Sequence, residues 1–115
     1  MGNQTATASK MDQLPEAARD RIEQLRLLFI ERSKENLAQI RQLLDARKTA
    51  NDPRSIDEGL MTLAHSLVGA SGIFGFPELG DKAFRVEATL RSADYQEADF
   101  AEVTSELIEQ LALLG

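Results

Sequence analysis

The chain predicts an all-α fold, an antiparallel four-helix bundle behind a flexible N-terminal tail. Three observations predict it. Apolar residues recur every three or four positions over four separate stretches, the beat of a helix with one buried face. No stretch shows the sustained period-two alternation of β-branched residues that a half-buried strand needs. Proline, glycine, asparagine and aspartate collect between the helical stretches, so the connections are short. At 115 residues the chain makes one domain, large enough for a core of its own.

Residues 1–13 are small and polar and are expected to form a disordered tail; the bundle then occupies 14–115. The first helix is expected over about 15–49, with Pro15 in its first turn and Glu16 at the favoured end of its dipole. Its apolar beat is Ala18, Ile22, Leu25 and Phe29, then Leu37, Ile40 and Leu44. The polar middle, Glu31 to Asn36, holds no glycine or proline, and one long helix is the simplest reading, with a break near 26–33 as the alternative. Asn51, Asp52 and Pro53 turn the chain. Ser55 and Glu58 have capping-box spacing and predict a second helix over about 55–74, with Gly75 as its left-handed cap. Pro77 opens a third helix, about 77–92, with Leu79, Ala83, Val86 and Leu90 inward. Ser92 to Gln96 connect it to a fourth, about 97–114, which buries Phe100, Val103, Leu107, Ile108, Leu111 and Leu114.

Composition removes several classes of function. A net charge of −6 disfavours nucleic acid and acidic lipid, both of which need a basic surface. No apolar run approaches the ~20 residues of a membrane span, and the N-terminus lacks a signal-peptide pattern, so a cytoplasmic protein is expected. There is no cysteine and a single histidine, so no metal site is expected. No glycine-rich loop follows a strand, and no cofactor is expected.

The single histidine, His65, stands out. On a helical wheel Ile56, Leu60, Leu63, Leu67, Ala70 and Phe74 fall within about 40° of one direction, and His65 points directly away from them. Gly69 and Gly72, four and seven residues later, lie on its own side. A glycine inside a helix costs roughly 1 kcal/mol relative to alanine. Two on the polar face are better explained by clear space around the ring than by helix packing. An uncrowded neutral imidazole, unperturbed pKa about 6.5, is a nucleophile able to attack a phosphoryl group.

At these residues the chain resembles the histidine-containing phosphotransfer (HPt) domain family, whose motif reads close to H-x-L-K-G-x-x-x-x-x-G. Here it is His65, Ser66, Leu67, Val68, Gly69 and then Ile73, Phe74 and Gly75, followed by Leu79, Ala83, Val86 and Glu87 without a gap. Upstream, Leu28, Phe29 and Ile30 with the long charged helix after them resemble the family's second helix, and the likeness covers about residues 20–114.

The resemblance implies a phosphocarrier, not an enzyme. His65 would relay a phosphoryl group between the aspartates of response-regulator receiver domains in a multistep phosphorelay, with the catalytic groups and Mg²⁺ on the receiver. A hybrid histidine kinase is a further expected partner, and the carrier is expected to be a monomer. Gly69 and Gly72 would leave room at the phosphoryl site, Glu87 would orient the other ring nitrogen, and Arg91, one turn on, would offset phosphoryl charge. The family lysine three after the histidine is Val68 here. Lys82 and Arg85 are alternative substitutes for it, and Arg91 is favoured. Met61 and Val68, with Glu58, are expected to form a docking rim. The alternative reading is an HPt-like module that docks on a receiver or kinase without carrying phosphate.

Overall fold

The structure, a computed structural model, describes residues 15–114; the tail expected over 1–13 lies outside them. Four helices follow one another: α1 (Glu16–Thr49), α2 (Arg54–Phe74), α3 (Pro77–Arg91) and α4 (Glu97–Leu114). No strand occurs among the described residues. Each helix packs against its neighbours in an antiparallel bundle, with α1 closing on α2 and α4 and the most extensive contact between α2 and α3. Among the described residues no helix is long and apolar enough to cross a membrane.

The first helix is continuous through its polar middle. Ser33 explains why: its side chain is fully buried, yet its Oγ donates to the carbonyl of Phe29, 2.8 Å away, so no polar atom is stranded. Phe29 and Ile40 flank it in the core. The second helix starts differently from the capping-box expectation. Pro53 holds the N-cap position with φ −81° and ψ 4°, and no side chain caps the helix. Its carbonyl already accepts the Asp57 N–H at 2.8 Å, while Asp52 Oδ1 takes the Arg54 N–H at 3.1 Å. Proline's preset φ starts the helix before Ser55, which is left exposed within the first turn. At the other end Gly75 adopts φ +81°, and the Phe76 N–H bonds the Ser71 carbonyl at 2.9 Å, as in a Schellman end.

The buried face of α2 is also rotated from the expected one. Leu60, Ala64, Leu67 and Ser71 are the buried residues, and their mean direction lies about 130° from His65 on an ideal helix, not opposite it. The cause is side-chain size. Ala64, Ser71 and Gly80 are small, and a Cβ added at Gly80 would lie only 3.3 Å from that of Ser71. Helix α3 therefore sits close against the Ala64–Ser71 edge. Leu63, Ala70 and Phe74 face α1 and are only partly buried. A groove lined by Leu28, Phe29, Arg32, Leu63 and Ser66 remains on that side.

One end of the bundle is tied by a polar cluster. Arg47 Nε donates to Asp57 Oδ1 at 2.7 Å, Nη1 to Glu97 Oε1 at 2.8 Å and Nη2 to Tyr95 Oη at 2.8 Å; Tyr95 Oη in turn donates to Asp57 Oδ2 at 2.6 Å. The guanidinium also stacks 4.0 Å over the Phe100 ring. This joins the end of α1, the start of α2, the α3–α4 connection and the start of α4. Arg47 holds the Glu97 carboxyl below the usual carboxylate range, and burial pushes the Tyr95 hydroxyl above the usual phenol value.

Two outcomes follow for stability. A depressed carboxyl stabilises the fold above its unfolded value and loses that contribution as pH falls through its folded value; a raised phenol contributes below its unfolded value and loses it as pH rises through its folded one. The contributions of Glu97 and Tyr95 are therefore expected to be complete between roughly pH 5 and 10 and to be lost on the acid and alkaline sides respectively. Arg47→Ala should cost about 2 kcal/mol and shallow the acid limb, as read by denaturant titration across pH. Ser71→Ala should instead raise stability by about 1 kcal/mol, because the fully buried Ser71 Oγ has no hydrogen-bond partner.

Candidate functional site

The rotation of α2 turns the His65 side of the helix toward α3, and Glu87 reaches it from there. Nδ1 of His65 lies 2.7 Å from Oε2 of Glu87. The same oxygen accepts from Arg91 Nη2 at 2.8 Å and from Arg91 Nε at 3.2 Å. The burial of the three differs sharply: the Glu87 side chain is 8% exposed, Arg91 63% and His65 70%. A carboxylate on the inner edge of the seam thus carries two exposed groups on its outer side.

The electrostatics fix the ring. Arg91, one turn along α3, is the main cause holding the Glu87 carboxyl below the usual carboxylate range; burial opposes it and the His65 hydrogen bond adds to it. An ionised carboxylate can only accept. In the neutral imidazole Nδ1 must then carry the proton and donate to Glu87, which leaves the lone pair on Nε2. The exposed ring presents that nitrogen outward. By linkage, the contribution of this arrangement is complete above pH 4.5 and is lost as pH falls through the depressed Glu87 value.

The surroundings of the ring are open. A Cβ at Gly69 or Gly72 would meet nothing within 4 Å, and both positions are exposed. Neither glycine serves a close helix contact; Gly80 does. Met61 and Val68 are half-buried, and Val68 packs against the core, so the rim they form is only partly free. Glu58 is exposed nearly two turns before His65. The structure does not bring Lys82 and Arg85 to the ring. They lie toward α4, where Lys82 Nζ is 3.9 Å and Arg85 Nη1 2.8 Å from Glu106 Oε1. Among the described residues no group of three or more His, Cys, Asp or Glu is arranged to hold a metal.

Ser71 and Gly80 are the positioning residues that pattern reading missed. Their signal is a pair of small side chains one heptad apart on α2, Ala64 and Ser71, with Gly80 of α3 set against Ser71.

The sequence profile of the Hpt domain matches residues 24–114. With the four-helix bundle and the single exposed histidine on its second helix, this places the chain in the Hpt domain family. Hpt domains are phosphocarriers of histidine phosphotransfer in phosphorelays, and they interact with receiver domains and kinases. Comparison with curated proteins and with solved structures returned no match.

Two measurements check the geometry. Long-range ¹H–¹⁵N spectra of the imidazole should show the Nδ1–H tautomer in the wild type and a shift toward Nε2–H in Glu87→Ala. Gly69→Ala and Gly72→Ala should each raise unfolding free energy by roughly 0.5–1 kcal/mol, since the added methyl groups meet open space and improve helix propensity.

Proposed function

We propose that Nε2 of His65 takes a phosphoryl group from the aspartyl phosphate of one receiver domain and passes it to the aspartate of another. In the first step the Nε2 lone pair forms the N–P bond and the acyl phosphate P–O bond breaks, releasing the receiver's carboxylate. Nδ1 keeps its proton throughout, and the ring becomes cationic with the phosphoryl group in place. Glu87 stabilises that cation through the existing hydrogen bond. The second receiver's carboxylate then attacks phosphorus and the neutral imidazole leaves. Mg²⁺ and the acid groups that assist the displacement are the receiver's.

The observation that carries this reading is the 2.7 Å bond from His65 Nδ1 to a buried carboxylate, with the remaining ring nitrogen turned to solvent. The open floor at Gly69 and Gly72 supports it, since the acyl phosphate sits inside the receiver's own surface and must be brought up to the ring. Met61 and Val68 with Glu58 would border the docked receiver, or a hybrid kinase's receiver, on the α2 side. A single chain suffices for this, as all four helices close one core.

The test is transfer from a ³²P-labelled receiver domain. The wild type should acquire acid-labile, base-stable phosphate; His65→Gln should acquire none while keeping its helical circular dichroism. Label that persists in His65→Gln would reject the assignment. Gly69→Ala should slow transfer from the receiver while leaving the fold more stable. A second reading, receiver docking without transfer, is favoured by the uncharged turns of α2 around His65; tight receiver binding with no label on the wild type would select it.

A further inference from the structure

The charges around His65 bear on which way the proposed transfer runs. A neutral imidazole that accepts a phosphoryl dianion becomes more negative by about one unit, with the negative charge concentrated at the outer end of the ring. The residues one and two turns from His65 on α2 are Glu58, Met61, Thr62, Val68, Gly69 and Gly72, and none is a cation. On α3 the nearest positive side chain is Arg91, and both donors that it uses lie on Glu87 Oε2, the oxygen at the inner, Nδ1 end of the ring. Lys82 and Arg85 are turned to Glu106 on α4. The groove that contains Arg32 opens on the opposite flank of α2, beside Leu63 and Ser66. Among the described residues the fixed charge at the site therefore supports the ring cation and sets no cation beside the phosphoryl oxygens.

We infer that phospho-His65 is a high-transfer-potential state, so that the chain passes its phosphoryl group on and holds little of it at equilibrium, and that the uncharged residue at position 68 sets this balance. This rests on His65 being the phosphoacceptor. Arg91 is then a positioning residue that acts through Glu87, and it does not neutralise the phosphoryl group. Position 68 lies three residues from His65, within reach of a long side chain on the same flank. A lysine there would place one positive charge about 6 Å from a dianion in water, worth roughly three- to tenfold in the equilibrium from physiological to low salt.

The experiment needs no receiver. Phosphoramidate phosphorylates histidine with release of ammonia, so the plateau ratio of phosphohistidine to histidine at fixed phosphoramidate and ammonium measures transfer potential, independent of rate. ³¹P NMR reads that ratio and the substituted nitrogen. The wild type should show a small phospho-Nε2 signal and His65→Gln none. Val68→Lys should raise the ratio roughly three- to tenfold, and Val68→Met, uncharged, should leave it within twofold. Met61→Lys supplies a cation from the preceding turn and replaces Val68→Lys if that variant does not fold. A labelled wild type whose ratio is unchanged by either lysine would overturn the inference while leaving the phosphoacceptor in place. A wild type that takes no more phosphoryl than His65→Gln would bring down the parent proposal itself.

Discussion

The structure depends on one buried carboxylate. Glu87 lies in the seam between α2 and α3, where an unpaired negative charge would be costly, and it is kept there by donors from both helices. Arg91 comes from its own helix, so that bond forms whenever α3 does. His65 comes from the other helix, so the second bond requires the seam to close. The carboxylate thereby couples packing to chemistry: the same contact that satisfies a buried ion also selects the ring tautomer and decides which nitrogen faces outward.

The closeness of that seam is set by side chains too small to attract notice. Ala64, Ser71 and Gly80 allow the α2 and α3 backbones to approach, and the approach turns α2 until His65 lies at the edge of the interface. Larger residues there would push α3 outward and leave Glu87 without its partner. Ser71 is placed for its size, since its hydroxyl finds no acceptor. Arg26 shows the opposite case at the α1 side: its Nε donates to the Phe74 carbonyl at the C-terminal end of α2, at 3.3 Å, and its guanidinium covers the Phe76 ring. The α1 contact is fixed at its end and loose along its length.

Much of this is legible in the sequence alone. The apolar beats of α3 and α4 name most of their buried residues, because Leu79, Val86, Phe100, Leu107 and Leu111 lie on unambiguous helical stripes. Gly75 declared its left-handed cap, because few other residues tolerate that backbone at the end of a helix. What stayed hidden shares a physical cause. Ser33 and Thr104 are buried yet bond the carbonyls four residues back, so their polarity is cancelled locally and their letters read as surface. The Arg47, Asp57, Tyr95 and Glu97 cluster joins residues up to fifty positions apart, and no local pattern announces such pairs. His65 was legible as exposed, but not its 130° offset from the core, because a helical wheel weighs apolar residues and ignores how closely each neighbour can approach. The resemblance to the family, not the periodicity, pointed to Glu87.

Position 68 shows what the close seam costs the site. A residue three after His65 lies between the ring and α3, so its side chain has two calls on it: to pack the seam or to reach the outer end of the ring. Valine does the first, and is half-buried against the core. A lysine would have to run its stem along the same surface and carry its charge past it. With valine there, the ring has a carboxylate at Nδ1 and is otherwise largely exposed. In the proposed transfer a site built this way would favour the ring as a conduit over the ring as a store, because Glu87 pairs with the ring nitrogen and no cation is set beyond it.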